Sequence, residues 1–227
     1  MTRYDEAAQA RAAEVRAPAD RPTQRRCAAP EDAPRGSLAR LLSPEERAKK
    51  GGDPSTVYGV ASVVEQGYEM YDMFGPYTEV VARGAFDATL AASPLVEFTL
   101  NHGHGGGLPM AHTRNGTLSL GVTDEGLAFD ATVDPSRTDV ADMLKALQRG
   151  DLAEASFKFR IVRGQWSPDY MEYRIEEVDL DRGDVSAVNF GANPLATSAA
   201  RSAAAPAPKS GRDLVRESDL AAAVSSL

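Results

Sequence analysis

Asp124-Glu-Gly-Leu-Ala-Phe-Asp-Ala-Thr-Val133 decides the fold class. Leu127, Phe129, Ala131 and Val133 recur at every second position, the period of a strand with one buried face, and Asp124-Glu125-Gly126 ahead of them is a tight-turn signal. Outward from this stretch the same pattern repeats: short runs of β-branched and aromatic residues, each closed by Gly, Asn, Asp or Pro. Strands are predicted over Thr56–Val64, Tyr77–Val81, Leu95–Asn101, Gly116–Val122, Gly126–Val133, Ala155–Val162, Tyr170–Val178 and Asp184–Asn189. Two helices interrupt them. One is expected after Ser136, with Ser136 as cap and Asp139 completing a capping box, an apolar stripe of Val140, Met143, Leu144 and Leu147, and a stop at Gly150. The other runs from Gly84 to Ala91 and ends at Ser93-Pro94. The expected fold is mainly β with peripheral helices, an antiparallel barrel or strongly bent sheet.

Residue composition sets the domain limits. Of the seven Phe, seven Tyr and one Trp, only Tyr4 lies outside residues 53–194. The same middle region holds 10 Lys+Arg against 22 Asp+Glu, so it carries the acidity of a chain whose net charge is −8. Both ends are rich in Ala with Pro and Ser, a composition that buries too little surface to offset ordering entropy. A mobile N-terminal extension over 1–52, a folded domain over 53–197 and a mobile tail over 198–227 are therefore expected, with short helices near Ser43–Lys50 and Asp213–Val224.

Several function classes are disfavoured by the same numbers. No run of about 18 apolar residues suggests a membrane span. The polar start Met1-Thr-Arg-Tyr-Asp-Glu6 does not read as a secretory signal, so a cytoplasmic location is expected. The single Cys27 allows neither an internal disulfide nor a Cys-based zinc site. The acidic balance opposes tight nucleic-acid binding, which needs clustered Lys and Arg, and points to protein partners. Gly103 to Gly107 lacks the Lys-Ser/Thr ending of a phosphate-binding loop.

All three histidines, His102, His104 and His112, fall within eleven positions. His102 follows the apolar segment Val96–Leu100 and Asn101, so a strand end presents it, a position suited to a general base. The alternatives are solvated loop histidines beside a glycine run, or a metal site built from His102, His104 and His112 for a metal-dependent hydrolase. Ser156 stands out by period. Ala155, Phe157, Phe159 and Ile161 share one face of their strand, and Ser156, Lys158, Arg160 and Val162 share the other. By itself such a serine is also what an ordinary outward polar position looks like.

Read in order, a longer set of signatures appears: Gly75-Pro-Tyr-Thr-Glu-Val-Val-Ala-Arg-Gly-Ala-Phe-Asp-Ala-Thr-Leu90, Asn101-His102, Leu108-Pro-Met-Ala-His-Thr113 with Gly116-Thr-Leu-Ser-Leu120, Arg149-Gly-Asp-Leu152 with Ser156-Phe-Lys-Phe159, and Asp184-Val-Ser-Ala-Val188. Over residues 56 to 197 this succession resembles the phage prohead (capsid maturation) serine proteases, a family similar in fold to the herpesvirus assembly protease. The resemblance implies a barrel of about seven strands with helices around it. It also implies a catalytic histidine at His102, a nucleophile at Ser156 and an acidic third member at Asp184, with no cofactor. Gly103 departs from the Asp that the family usually places after the histidine. Glu154, Asp151 and His112 are the rivals to Asp184 as third member, a turn residue is its bland reading, and Arg174 and Arg182 are candidate helpers at the oxyanion.

The function so implied is a serine endopeptidase that cuts scaffold or the major capsid protein's scaffolding segment, and itself, inside the assembling prohead of a tailed phage in the bacterial cytoplasm. Its partners are then the major capsid protein and scaffold, with self-association a further expectation. The leading alternative is a noncatalytic scaffold or capsid-assembly module on the same barrel.

Overall fold

The computed structural model describes residues 1–23, 55–104, 106–191 and the backbone of 197–200. The fold is mainly β. Among the described residues ten strands belong to one sheet: β1 Thr56–Val63, β2 Gly67–Tyr71, β3 Pro76–Val81, β4 Glu97–Leu100, β5 Ala111–His112, β6 Leu118–Val122, β7 Gly126–Thr132, β8 Glu154–Trp166, β9 Glu172–Val188 and β10 Thr197–Ala200. Among the described residues three α-helices accompany them: α1 Arg3–Glu14, α2 Asp87–Ala91 and α3 Thr138–Arg149. Among the described residues no helix is long and apolar enough to cross a membrane.

The strands pair in the order β2-β3-β9-β8-β10-β1-β7-β6, and β4 with β5 branches from β9. This path is open, with β2 and β6 at its ends, so the expected closed barrel of about seven strands is not what the described residues form. Most neighbours are antiparallel, but β3 and β4 both run parallel to β9. They can share one neighbour because β9 is long: β3 takes Glu172–Ile175, and β4 takes Asp184–Ala187.

The length of β9 is the main departure from the predicted elements. Asp181-Arg182-Gly183 reads as a turn between two strands, yet the chain keeps its direction and the extra residues form a bulge. On β8 the partners move from Lys158 to Arg160, while on β9 they move from Asp184 to Asp179. Arg182 takes a left-handed φ of 59°. Gly183 fits there because a Cβ would lie 2.0 Å from the Lys158 carbonyl oxygen and 2.9 Å from that of Leu180. The backbones approach too closely at that point for any side chain, immediately before Asp184.

The core is a continuous cluster drawn from the strands of this sheet and from α3. Val140, Met143, Leu144 and Leu147 of α3 are buried as the stripe predicts, and Gly150 ends the helix in the left-handed conformation. The start differs from expectation: Arg137 occupies the N-cap without a side-chain bond, and Arg137 instead clasps Asp139 at 2.7 Å. Phe157 enters the core against Phe86 and stacks on Phe159 with ring centroids 4.2 Å apart. That packing fixes which face of β8 looks inward, and thereby which face Ser156 occupies.

The first part of the expected mobile extension is ordered. Thr2 and Asp5 form a capping box, and α1 docks through Ala7, Ala8 and Arg11. Composition alone misses this because a single side chain supplies the anchor. Arg11 is fully buried, pairs with Asp72 at 2.7 and 3.0 Å, donates to the carbonyls of Gly75, Pro76 and Tyr170, and lies over the rings of Tyr77 and Trp166. The helices expected at Ser43–Lys50 and Asp213–Val224 lie outside the described residues.

Candidate active site

β4, β8 and β9 build the site. Their registers put Thr99, Ser186 and Ser156 in one row across the three strands, and Glu97, Asp184 and Lys158 in the next. Directly paired residues point to the same face, and residues two apart on a strand share it, so all six side chains face one side. The other side is the core, entered by Ala155, Phe157, Val185 and Ala187.

Around Ser156 this face is not open to solvent, as an outward serine had suggested. Ser156 is 8% exposed, Ser186 is fully buried, and Thr99 and Asp184 are buried too. The chain leaving β4 folds onto Ser186 and Asp184. Asn101, His102 and Gly103 form a one-turn 3-10 segment in which all three φ values are positive, at 48°, 57° and 66°. Two bonds, one from β9 and one from the residue after it, hold that turn: Ser186 Oγ accepts the His102 N–H at 3.1 Å, and Asn101 Oδ1 accepts the Asn189 N–H at 3.0 Å. Left-handed backbone costs a non-glycine residue about 1 kcal/mol or more, so consecutive residues in it need such restraint. Glycine at 103 suits the third of them.

His102 and Asp184 meet directly, with Nδ1 2.6 Å from Oδ1. Ser186 Oγ–H donates to the same oxygen at 2.8 Å, and Lys158 Nζ lies 3.0 Å from Oδ2. Burial by itself would raise the Asp184 pKa, but the bonds from His102, Lys158 and Ser186 together outweigh it and hold the carboxyl below the ordinary aspartate range. An ionised Asp184 can only accept, so His102 Nδ1 carries the proton, and in the neutral ring Nε2 is left as a bare acceptor.

Ser156 is the paired neighbour of Ser186, its Cβ about 5 Å from that of Ser186 by antiparallel geometry. His102 and Asp184 are thus in contact, and Ser156 is one strand away on the same face. Among the described residues no hydrogen bond from Ser156 Oγ to His102 is formed. In ligand-free sites such bonds are often long and tighten only with substrate.

The rivals to Asp184 point elsewhere. Asp151 pairs with Arg149 at 3.0 Å, and Glu154 accepts the Gly191 N–H at 2.6 Å. His112 sits on β5 opposite Glu97, two strand spacings or roughly 10 Å from Asp184, and its Nδ1 caps its own turn by accepting the Arg114 N–H. Arg174 is engaged by Glu65 at 2.6 Å, and Arg182 is exposed beside Asp181. The rings of His102 and His104 stand edge-on with centroids 6.3 Å apart. No group of three His, Cys, Asp or Glu among the described residues is arranged to hold a metal ion.

The family model of the caudovirus prohead serine proteases matches residues 43–209, which include every strand described above. The chain belongs to that family. No curated protein and no solved structure matches it. Membership makes it a phage prohead serine protease in general terms, a hydrolase of capsid maturation. In this family member the sequence missed Ser186 and Thr99, the two buried hydroxyls beside the His102–Asp184 pair. A signal existed: Ser186 is two residues after Asp184 in a strand, hence on its face.

Proposed function

We propose that this chain is the endopeptidase of a tailed-phage prohead, with Ser156 as nucleophile, His102 as general base and Asp184 as the group that orients His102. The observation that carries the reading is the 2.6 Å contact between His102 Nδ1 and Asp184, on a face that Ser156 shares. The Ser156 Oγ attacks the scissile carbonyl carbon while its proton passes to His102 Nε2. Asp184 stabilises the imidazolium so formed. The C–N bond then breaks as Nε2 returns the proton to the leaving amine. Water, deprotonated by the same nitrogen, releases the acyl group from Ser156.

The substrates of this reading are the scaffold and the scaffolding segment of the major capsid protein, cut inside the assembling prohead within the bacterial host, together with the chain's own terminal segments. Family membership supports it, since a prohead protease acts on the proteins of the prohead. Co-expression with the capsid protein tests it: wild-type chain yields shortened capsid protein, and Ser156→Ala leaves it full length. Equal processing by the variant would exclude Ser156 as nucleophile and favour an assembly module without catalysis.

A further inference from the structure

Ser186 is the only fully buried hydroxyl among the described residues that touches both members of the His102–Asp184 pair. Its one proton goes to Asp184 Oδ1 at 2.8 Å. Its oxygen therefore accepts twice, from the His102 backbone N–H at 3.1 Å and from Thr99 Oγ1–H at 2.6 Å. Every hydrogen-bonding position of the hydroxyl is filled, by groups from β4, β9 and the turn that carries His102.

From this geometry we infer that Ser186 is a positioning residue, which locks the His102 turn and the Asp184 carboxylate to each other, with Thr99 fixing the direction of its hydroxyl. Two features of the turn make the lock consequential. His102 and Asn101 both sit in left-handed backbone, which relaxes unless held, and the His102 N–H has Ser186 Oγ as its partner. The Asp184 oxygen that receives Ser186 is the one that receives His102 Nδ1, so the hydroxyl also sets where that oxygen lies. Lys158 holds only the other oxygen and from a largely exposed side chain, and leaves the carboxylate free to swing about that contact. A buried network of this kind is worth most when every member is satisfied.

The inference rests on the catalytic reading of His102, Ser156 and Asp184, and its test separates the two. The full chain and its Ser186→Ala variant are treated with a fluorophosphonate, with kinact and KI measured separately, and the His102 side-chain 15N shifts report which ring nitrogen holds the proton. The expected result is kinact reduced about ten- to hundredfold with KI unchanged, the cost of misplacing a base by a fraction of an ångström to 1 Å. His102 should at the same time change from the Nδ1–H form to a mixture of tautomers. Wild-type rate in the variant, or a slower rate with the Nδ1–H form intact, would overturn the inference. A wild-type chain that takes no label at all would instead overturn the catalytic reading. Should Ser186→Ala fail to fold, Thr99→Val decides: it keeps shape, removes the donor that orients Ser186, and should lower kinact at least about threefold. Thr99→Ser retains the donor and the rate. Equal kinact in Thr99→Val and Thr99→Ser would refute the lock.

Discussion

Replacing Arg11 by Met keeps most of the side chain's stem and removes its charge and five donors. The consequences fall on the groups left behind. Asp72 is buried and loses its bidentate partner, keeping only the N–H groups of Phe74 and Gly75, while the carbonyls of Gly75, Pro76 and Tyr170 each lose a donor. Breaking a buried ion pair from one side costs about 3–5 kcal/mol, and the carbonyl losses overlap with that figure rather than add to it. Against a total stability of about 5–15 kcal/mol, a loss of about 4 shifts the folding equilibrium by roughly three orders of magnitude. Urea unfolding followed by the fluorescence of Trp166, the single tryptophan, measures it, and Trp166 also reports locally because the guanidinium lies 5.0 Å from its ring centre. Adding Asp72→Asn to Arg11→Met removes the uncompensated charge and should recover about 2 kcal/mol. A loss below about 1 kcal/mol in the single variant, or no recovery in the double, would refute the view that α1 is an integral strut of the β2–β3 end of the sheet.

Three further outcomes are expected. Gly183→Ala forces a Cβ to 2.0 Å from the Lys158 carbonyl, so β8 and β9 must part beside Asp184; labelling of Ser156 by a fluorophosphonate should fall at least about tenfold, and wild-type labelling would contradict it. Asp184 is held below the ordinary aspartate range, so its contribution to stability is complete above about pH 4 and is lost as pH falls through the lower folded value; Lys158→Met should begin that loss at a higher pH than wild type in acid unfolding, and coincident curves would show that Lys158 does not contribute. Self-processing should leave wild-type chain shortened while Ser156→Ala stays full length, with N-terminal cuts between residues 24 and 54 because α1 is docked; mass spectrometry showing equal shortening would exclude self-cleavage.

Parts of the fold were legible where one physical signal acted alone. The alternation in Gly126–Val133 gives β7, and the stripe from Val140 to Leu147 with Gly150 gives α3, because period and burial agree there. Signals that compete within a few residues misled. Asp181-Arg182-Gly183 has turn chemistry, but pairing with β8 before and after it and with β4 from Asp184 onward keeps β9 running and converts the turn into a bulge. β5 has two residues and β10 four, too short for any period to register. Ser136 satisfied a capping pattern that Arg137 pre-empts by binding Asp139. In the site, the sequence brought His102 and Asp184 to attention through ordered motifs, and the structure places them in contact. It also read the face of Ser156 from period, but not its burial, because nothing local tells that the turn after β4 folds back over that face. Arg11 was hidden for a related reason: its partners Asp72, Gly75, Pro76 and Tyr170 are 61 to 159 residues away in sequence.

The central claim is that Ser156 is a nucleophile activated by His102. Peptide mapping by mass spectrometry after treatment of the folded full-length chain with a fluorophosphonate tests it most directly, because the reagent reacts with an activated serine and needs no knowledge of the scissile bond. The expected result is a single adduct on Ser156, absent in His102→Ala and in chain unfolded before treatment. An unmodified Ser156 in folded wild-type chain, or an adduct on Ser156 that persists undiminished in His102→Ala, would contradict it.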